Sequence, residues 1–203
     1  MIDFYFDFIS PYSYIGAMKI EALAAKHGEE VNWRPILLGV SIMKTMGLKP
    51  LLDTPLKGEY VRQDLPRLAS LYNIPFAFPE HGLPNPIPPA RAYCWVKRTA
   101  PQKATEFAQA VFSAQWRDER DISNEKVLVK LARDLGLDGE ALLIAINSDD
   151  NKEYLKKEVA DSLAKNIFGG PTFVIDEQVI WGADRLWMLE HWLTQKNWQQ
   201  TLT

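Results

Sequence analysis

The sequence predicts an α/β fold interrupted by a large all-helical insertion, and three observations predict it. An alternating run, Ile2 to Phe8, leads directly into Ser10-Pro11 and an apolar helical stretch. A second strand pattern, Val31 to Leu38, follows the stop at His27-Gly28, so residues 1–40 read as β-α-β. Far downstream, Gly169-Gly170-Pro171 opens a β-β-α segment, and the residues between the two ends carry helical periodicity broken by Pro and Gly.

Each element has a local reason. Ile2, Phe4, Phe6 and Phe8 alternate with Asp3, Tyr5 and Asp7, the period-two pattern of a half-buried strand. Pro11 suits the first helical position, where its missing N–H costs nothing, and Ser10 is a preferred N-cap. Tyr14, Met18, Leu23 and Ala24 supply the apolar face of that helix. The β-α-β start implies parallel strands joined by a right-handed crossover. Helices are expected over Lys57–Tyr72, Ala90–Thr99, Gln102–Trp116, Glu125–Leu135, Gly139–Asn147 and Lys152–Lys165. Strand character returns at Thr172–Ile175, turns at Asp176-Glu177 and resumes through Val179–Trp181 before a last helix over Asp184–Thr194. The expected division is a discontinuous domain of residues 1–40 and 167–203, with residues 41–166 as an inserted helical subdomain.

Composition narrows the function. A chain of 203 residues, 47% apolar and 24% charged, is an ordinary globular protein of one domain with or without an insertion. A net charge of −3 argues against nucleic-acid or membrane partners, and no stretch is long and apolar enough to span a bilayer. Met1 to Asp7 lacks the basic and apolar regions of a signal peptide, so a cytoplasmic location is expected. The single cysteine, Cys94, excludes an internal disulfide framework, and His27, His81 and His191 have no metal-ligand spacing. No metal is expected. Cys94 lies on an apolar helical stretch and reads as buried and inert, and Trp95, Trp116 and Trp187 read as core.

The chemistry sits at Ser10-Pro11-Tyr12-Ser13. In the thioredoxin-type arrangement a strand delivers Cys-x-x-Cys to a helix N-terminus, where open N–H groups and the helix dipole stabilise a thiolate. Here both cysteine positions hold serine, so the site can hold an anion but cannot form a disulfide. A thiol brought by a ligand restores the chemistry, and glutathione is the abundant cellular candidate. A charge-assisted hydrogen bond of roughly 1.5–3 kcal/mol and a helix terminus of up to about 2 kcal/mol are enough to bring a thiol from ~8.5 towards 6 or 7 after solvent discount. The predicted fold is therefore thioredoxin-like.

The segments Phe4-Tyr5-Phe6-Asp7-Phe8-Ile9-Ser10-Pro11-Tyr12-Ser13-Tyr14 and Trp181-Gly182-Ala183-Asp184-Arg185-Leu186-Trp187-Met188-Leu189-Glu190 resemble the two ends of 2-hydroxychromene-2-carboxylate isomerases. These are glutathione-dependent members of the DsbA-like and kappa-class glutathione transferase group. Leu71-Tyr72-Asn73-Ile74-Pro75 and Phe78-Pro79 resemble part of their insert. The resemblance implies a glutathione cofactor, Ser10 as the group that stabilises its thiolate, and a cis bond before Pro171 that presents the Gly170 main chain to the cysteinyl part. It further implies Asp184 at the γ-glutamyl ammonium, Trp181, Gly182 and Ala183 as the turn around it, and Lys57 at the glycine carboxylate. Asp184 also suits a second role as N-cap of the last helix. Lys44, Leu48 and Arg91 are weaker candidates for the substrate side. The chain departs from its relatives at Gly47-Leu48, where they carry Gly-Asn, and in lacking clear basic residues within His81–Asn85.

The implied activity is isomerisation of an aromatic hydroxychromene-type acid to the trans-o-hydroxybenzylidenepyruvate form by reversible thiolate addition, in a homodimer. A kappa-like transferase or peroxidase would use the same thiolate site. A redox-inactive binding module on the same scaffold is the reading from another class.

Overall fold

The computed structural model describes residues 1–199, so residues 200–203 of the expected C-terminal segment lie outside the described residues. Strand β1 (Ile2–Phe6), helix α1 (Pro11–Lys26) and strand β2 (Val31–Pro35) form the opening β-α-β unit. Helices α2 (Lys57–Leu71), α3 (Ile87–Thr99), α4 (Ala104–Trp116), α5 (Glu125–Asp134), α6 (Gly139–Asn147) and α7 (Asp149–Ala164) follow. Strands β3 (Thr172–Ile175) and β4 (Gln178–Trp181) and helix α8 (Leu186–Gln195) close the fold. The sheet runs β2-β1-β3-β4, with β1 parallel to β2 and antiparallel to β3, and β4 antiparallel to β3. This is the thioredoxin-like architecture the sequence predicts.

The register places Phe4 opposite both Trp33 and Phe173. Phe4 stacks on Phe173 at 5.4 Å and meets Trp33 edge-on at 4.8 Å. Phe6 continues this aromatic layer to Tyr93 of α3 and Phe112 of α4 at 5.3 and 5.6 Å, so one apolar core runs from the sheet into the helices. Such pairs add about 0.5–1.5 kcal/mol each beyond area burial. On the other sheet face, Tyr5 packs with Ile36 and Ile167. Trp116 of α4 donates its indole N–H to the Phe8 carbonyl at 2.9 Å, fixing the chain where it leaves β1 for the Ser10 turn.

Several boundaries differ from expectation for physical reasons. Strand β1 ends at Phe6 because the Asp7 carboxylate accepts from Ile9 N, turning the chain. β2 ends at Pro35 because Leu38 N donates to Asp7 Oδ2 instead of to the ladder. The chain then winds into a π-helical turn, Gly39–Thr45. Helix α3 begins earlier than expected, with Pro88 and Pro89 in its first turn, and α7 begins at Asp149 because Ser148 caps it. Trp187 corrects the expectation of a core residue: it is 63% exposed, since Leu186, Leu189 and Leu193 form the inward face of α8. Trp116 and Cys94 are fully buried, and burial pushes the Cys94 thiol up to about 12.

Candidate functional site

Ser10 ends the turn after β1 with extended backbone, φ −92° and ψ 113°, and caps α1 by accepting from Ser13 N at 3.1 Å. Its hydroxyl donates to the Gly170 carbonyl at 3.0 Å. The Gly170–Pro171 bond is cis, and Gly182 N donates to the Pro171 carbonyl at 3.0 Å. Two distant parts of the chain thus meet at Ser10, which is only 5% exposed.

The first turn of α1 is prepared for an anion. It carries no acidic side chain; Pro11 has no N–H, Ser13 N is taken by Ser10 Oγ and Tyr14 N by the Ser10 carbonyl. Tyr12 N–H is left as the open donor, beside the positive end of the helix dipole. Glycine is required at position 170, because a Cβ there would lie 2.8 Å from Ser13 Oγ. Ser13 Oγ is itself buried without a hydrogen-bond partner. Nothing that accepts a proton from Ser10 is basic: its hydroxyl meets one amide N–H and one peptide carbonyl. That arrangement offers a hydroxyl donor and no base to generate a serine alkoxide.

Asp184 lies in the 3₁₀ turn Ala183–Arg185, exposed, with Oδ2 3.3 Å from Arg185 Nη1. Its side chain caps no helix, so the second role expected for it, as N-cap of the last helix, is not adopted. Its charge contributes to the upward push on the Tyr12, Tyr60 and Tyr72 phenols, whose largest causes are burial for Tyr12 and Tyr72 and the Asp64 hydrogen bond for Tyr60. Gly182, with φ +111°, lets the turn pass Asp184, since a Cβ would approach its Oδ1 to 2.3 Å. Ala183 is buried, and Trp181 is 47% exposed against Phe168, ring centroids 5.1 Å apart.

Lys57 is exposed at the first turn of α2. Tyr60 and Asp64 lie three and seven positions on, hence on the same face. Asp64 accepts from Tyr12 OH at 2.7 Å and from Tyr60 OH at 3.1 Å, pinning α2 beside the start of α1. Sequence reasoning missed Asp64, Tyr12 and Tyr60; the spacing of Lys57, Tyr60 and Asp64 was the available signal. It also missed Asp7, a polar residue at the apolar end of an alternating strand. Lys44 is exposed on the π-helical turn, and Leu48 beyond it is 53% exposed. Arg91 points elsewhere, donating to the Ile146 carbonyl at 3.0 Å and so tying α3 to α6. Among the described residues no cluster of His, Cys, Asp or Glu could hold a metal ion, and no helix is long and apolar enough to cross a membrane.

A family model described as the DSBA-like thioredoxin domain matches residues 1–194. The 2-hydroxychromene-2-carboxylate isomerase of Sphingobium xenophagum is 31% identical, over 95% of this chain and 97% of its own. Glutathione S-transferase kappa 1 of Rattus norvegicus is 24% identical over 97% of this chain and 92% of its own. Among solved structures, a 2-hydroxychromene-2-carboxylate isomerase superposes with a TM-score of 0.83 at 29% identity, covering 94% of this chain and 92% of that one.

Proposed function

We propose, because this chain belongs to the 2-hydroxychromene-2-carboxylate isomerase family within the DSBA-like thioredoxin group, that it is a glutathione-dependent isomerase of hydroxychromene-carboxylate-type aromatic acids. The observation that carries this reading is the Ser10 hydroxyl set between the α1 N-terminus and the Gly170 carbonyl at 3.0 Å. The donor set fits the ligand: an anion seat at α1, a main-chain edge at Gly170, an acidic group at Asp184 and an exposed cation at Lys57. Glycine at 170 lets the loop close on Ser13, and glycine at 182 lets the turn pass Asp184, which brings these groups together.

When bound, glutathione supplies a thiolate for reversible addition to the conjugated double bond of the substrate. Ser10 would hold the sulfur anion through its hydroxyl, which in the ligand-free protein donates to the Gly170 carbonyl. Tyr12 N–H and the helix dipole share that charge. The Gly170 main chain would hold the cysteinyl backbone as an added strand is held. Lys57 holds the glycine carboxylate, and Asp184, with the turn of Trp181, Gly182 and Ala183, holds the ammonium. Lys44 is the cation for the substrate carboxylate on the side of the π-helical turn. The protein works in the cytoplasm as a homodimer on this reading.

One observation favours a second reading. Met43, Met46 and Leu48 expose an apolar surface on the substrate side, suited to a kappa-like transfer of glutathione to an apolar electrophile. Incubation with glutathione and 2-hydroxychromene-2-carboxylate, followed by mass and absorbance, separates the two. Conversion to trans-o-hydroxybenzylidenepyruvate with glutathione undiminished supports the isomerase. Loss of glutathione to a conjugate, here or with apolar electrophiles, supports transfer, and no turnover of either kind overturns both.

A further inference from the structure

We propose that Asp7 is a positioning residue, whose buried carboxylate ties the Ser10 turn to the segment leaving β2 and so sets both sides of the site with one group. Asp7 is 2% exposed, just beyond the end of β1. Oδ1 accepts from Ile9 N at 3.1 Å, and Oδ2 accepts from Leu38 N at 2.8 Å. Its own carbonyl accepts from Ser10 N at 3.0 Å. Leu38 is the residue from which the Gly39–Thr45 turn starts, so one carboxylate oxygen holds the Ser10 side and the other the Lys44 side. Gly170 closes over the same spot: a Cβ there would lie 3.5 Å from Asp7 N.

Among the described residues no cation offsets the buried charge. The segments packed about Asp7, namely Phe8–Pro11, Ile36–Leu38 and Gly169–Pro171, have no acidic or basic side chain. Asp3, four positions back on the same face and so about 13 Å away at ~3.3 Å per residue, engages Lys165 and Arg34, the latter from opposite Tyr5. Lys97 of α3 and Glu158 of α7 are likewise engaged at that far end, with Asn32 and Trp33 and with Arg34. Burial therefore pushes the Asp7 carboxyl up to about 6, with the two N–H groups opposing. A protonated carboxyl keeps one good acceptor oxygen and makes the other a donor. Protonation thus deprives Ile9 N or Leu38 N of its partner, and the turn that aims Ser10 loosens.

The coupling itself is independent of the ligand; its catalytic consequence rests on the glutathione reading. Amide shifts of Ile9, Ser10 and Leu38, followed by NMR in the ligand-free protein from pH 4.5 to 8, test the coupling. They are expected to move together with one midpoint near 6, and to stop doing so in Asp7→Asn. Separate midpoints, or none, overturn the proposal. The second readout is the thiolate absorbance of added glutathione against pH. Loss of positioning raises its midpoint in Asp7→Asn by on the order of one pH unit, the worth of one weakened charge-assisted hydrogen bond. Removal of a nearby negative charge alone would lower it, so an unchanged or lowered midpoint overturns the positioning role. If wild-type protein yields no thiolate signal, the glutathione reading fails and the amide titration still decides the coupling.

Discussion

Ser10 accepts from Ser13 N and has a hydroxyl hydrogen to give, and the two roles differ in worth. As N-cap it serves Ser13 N, a contact whose loss on Ser10→Ala costs ~1 kcal/mol of stability. On the glutathione reading a hydrogen bond from Ser10 to the sulfur anion is worth roughly 1.5–3 kcal/mol, so Ser10→Ala is expected to cut kcat about 10- to 100-fold while the melting temperature falls only a few degrees. Steady-state kinetics beside a thermal melt checks both. Asp7 illustrates the opposite balance. Its folded value, raised from 3.8 to about 6, means the native state holds the proton more tightly than the unfolded chain. That stability is fully present below pH 3.8 and is lost as pH rises through 6, a change of ~3 kcal/mol. Urea unfolding between pH 4 and 7.5 is expected to show Asp7→Asn gaining on the wild type by that order as pH rises. A group that positions the site when ionised thus weakens the fold at the same pH.

At the scale of elements, the approach of α1 to the loop before β3 decides the site geometry. Gly16 makes that approach possible, since a Cβ there would lie 3.1 Å from Pro171 Cβ and 3.3 Å from the Phe173 ring. Gly16→Val overfills this contact and is expected to cost ~1–3 kcal/mol and to weaken thiolate formation by parting Ser10 from Gly170. Denaturant unfolding and the thiolate titration measure the two effects. Strands, caps and the Ser10–Pro171 layout were legible in the sequence because they depend on period, N-cap residues and Pro chemistry, all local properties. Asn124 and Asp138 cap α5 and α6 as their residue types suggest. The contact of Tyr12 with Asp64 was not legible, because nothing local says which face of α2 meets α1. Nor was the end of β2, which a side chain five positions past the start of the other strand, Asp7, diverts from the ladder.

At the scale of the whole molecule, the single thiol lies beside the main core, in a small apolar cluster of α3 and α7 with Ala90, Leu155 and Val159. Cys94 is fully buried and its thiol is raised to about 12, so it reacts only when the core opens. Labelling by a disulfide reagent at pH 8 is expected to be negligible in native buffer and to rise in step with global unfolding in urea, which gives a stability measurement without a probe. Finally, the hydrogen bond from Ser10 to Gly170 spans 160 positions of chain. During synthesis at about 5–20 residues per second, roughly 8–30 s pass between the emergence of the two partners. Over that interval the nascent α1 has its cap and dipole but no opposing loop. The Ser10–Gly170 contact therefore waits for the segment that carries Gly170, and a chain cut short before it leaves Ser10 without that partner however well its helices have formed.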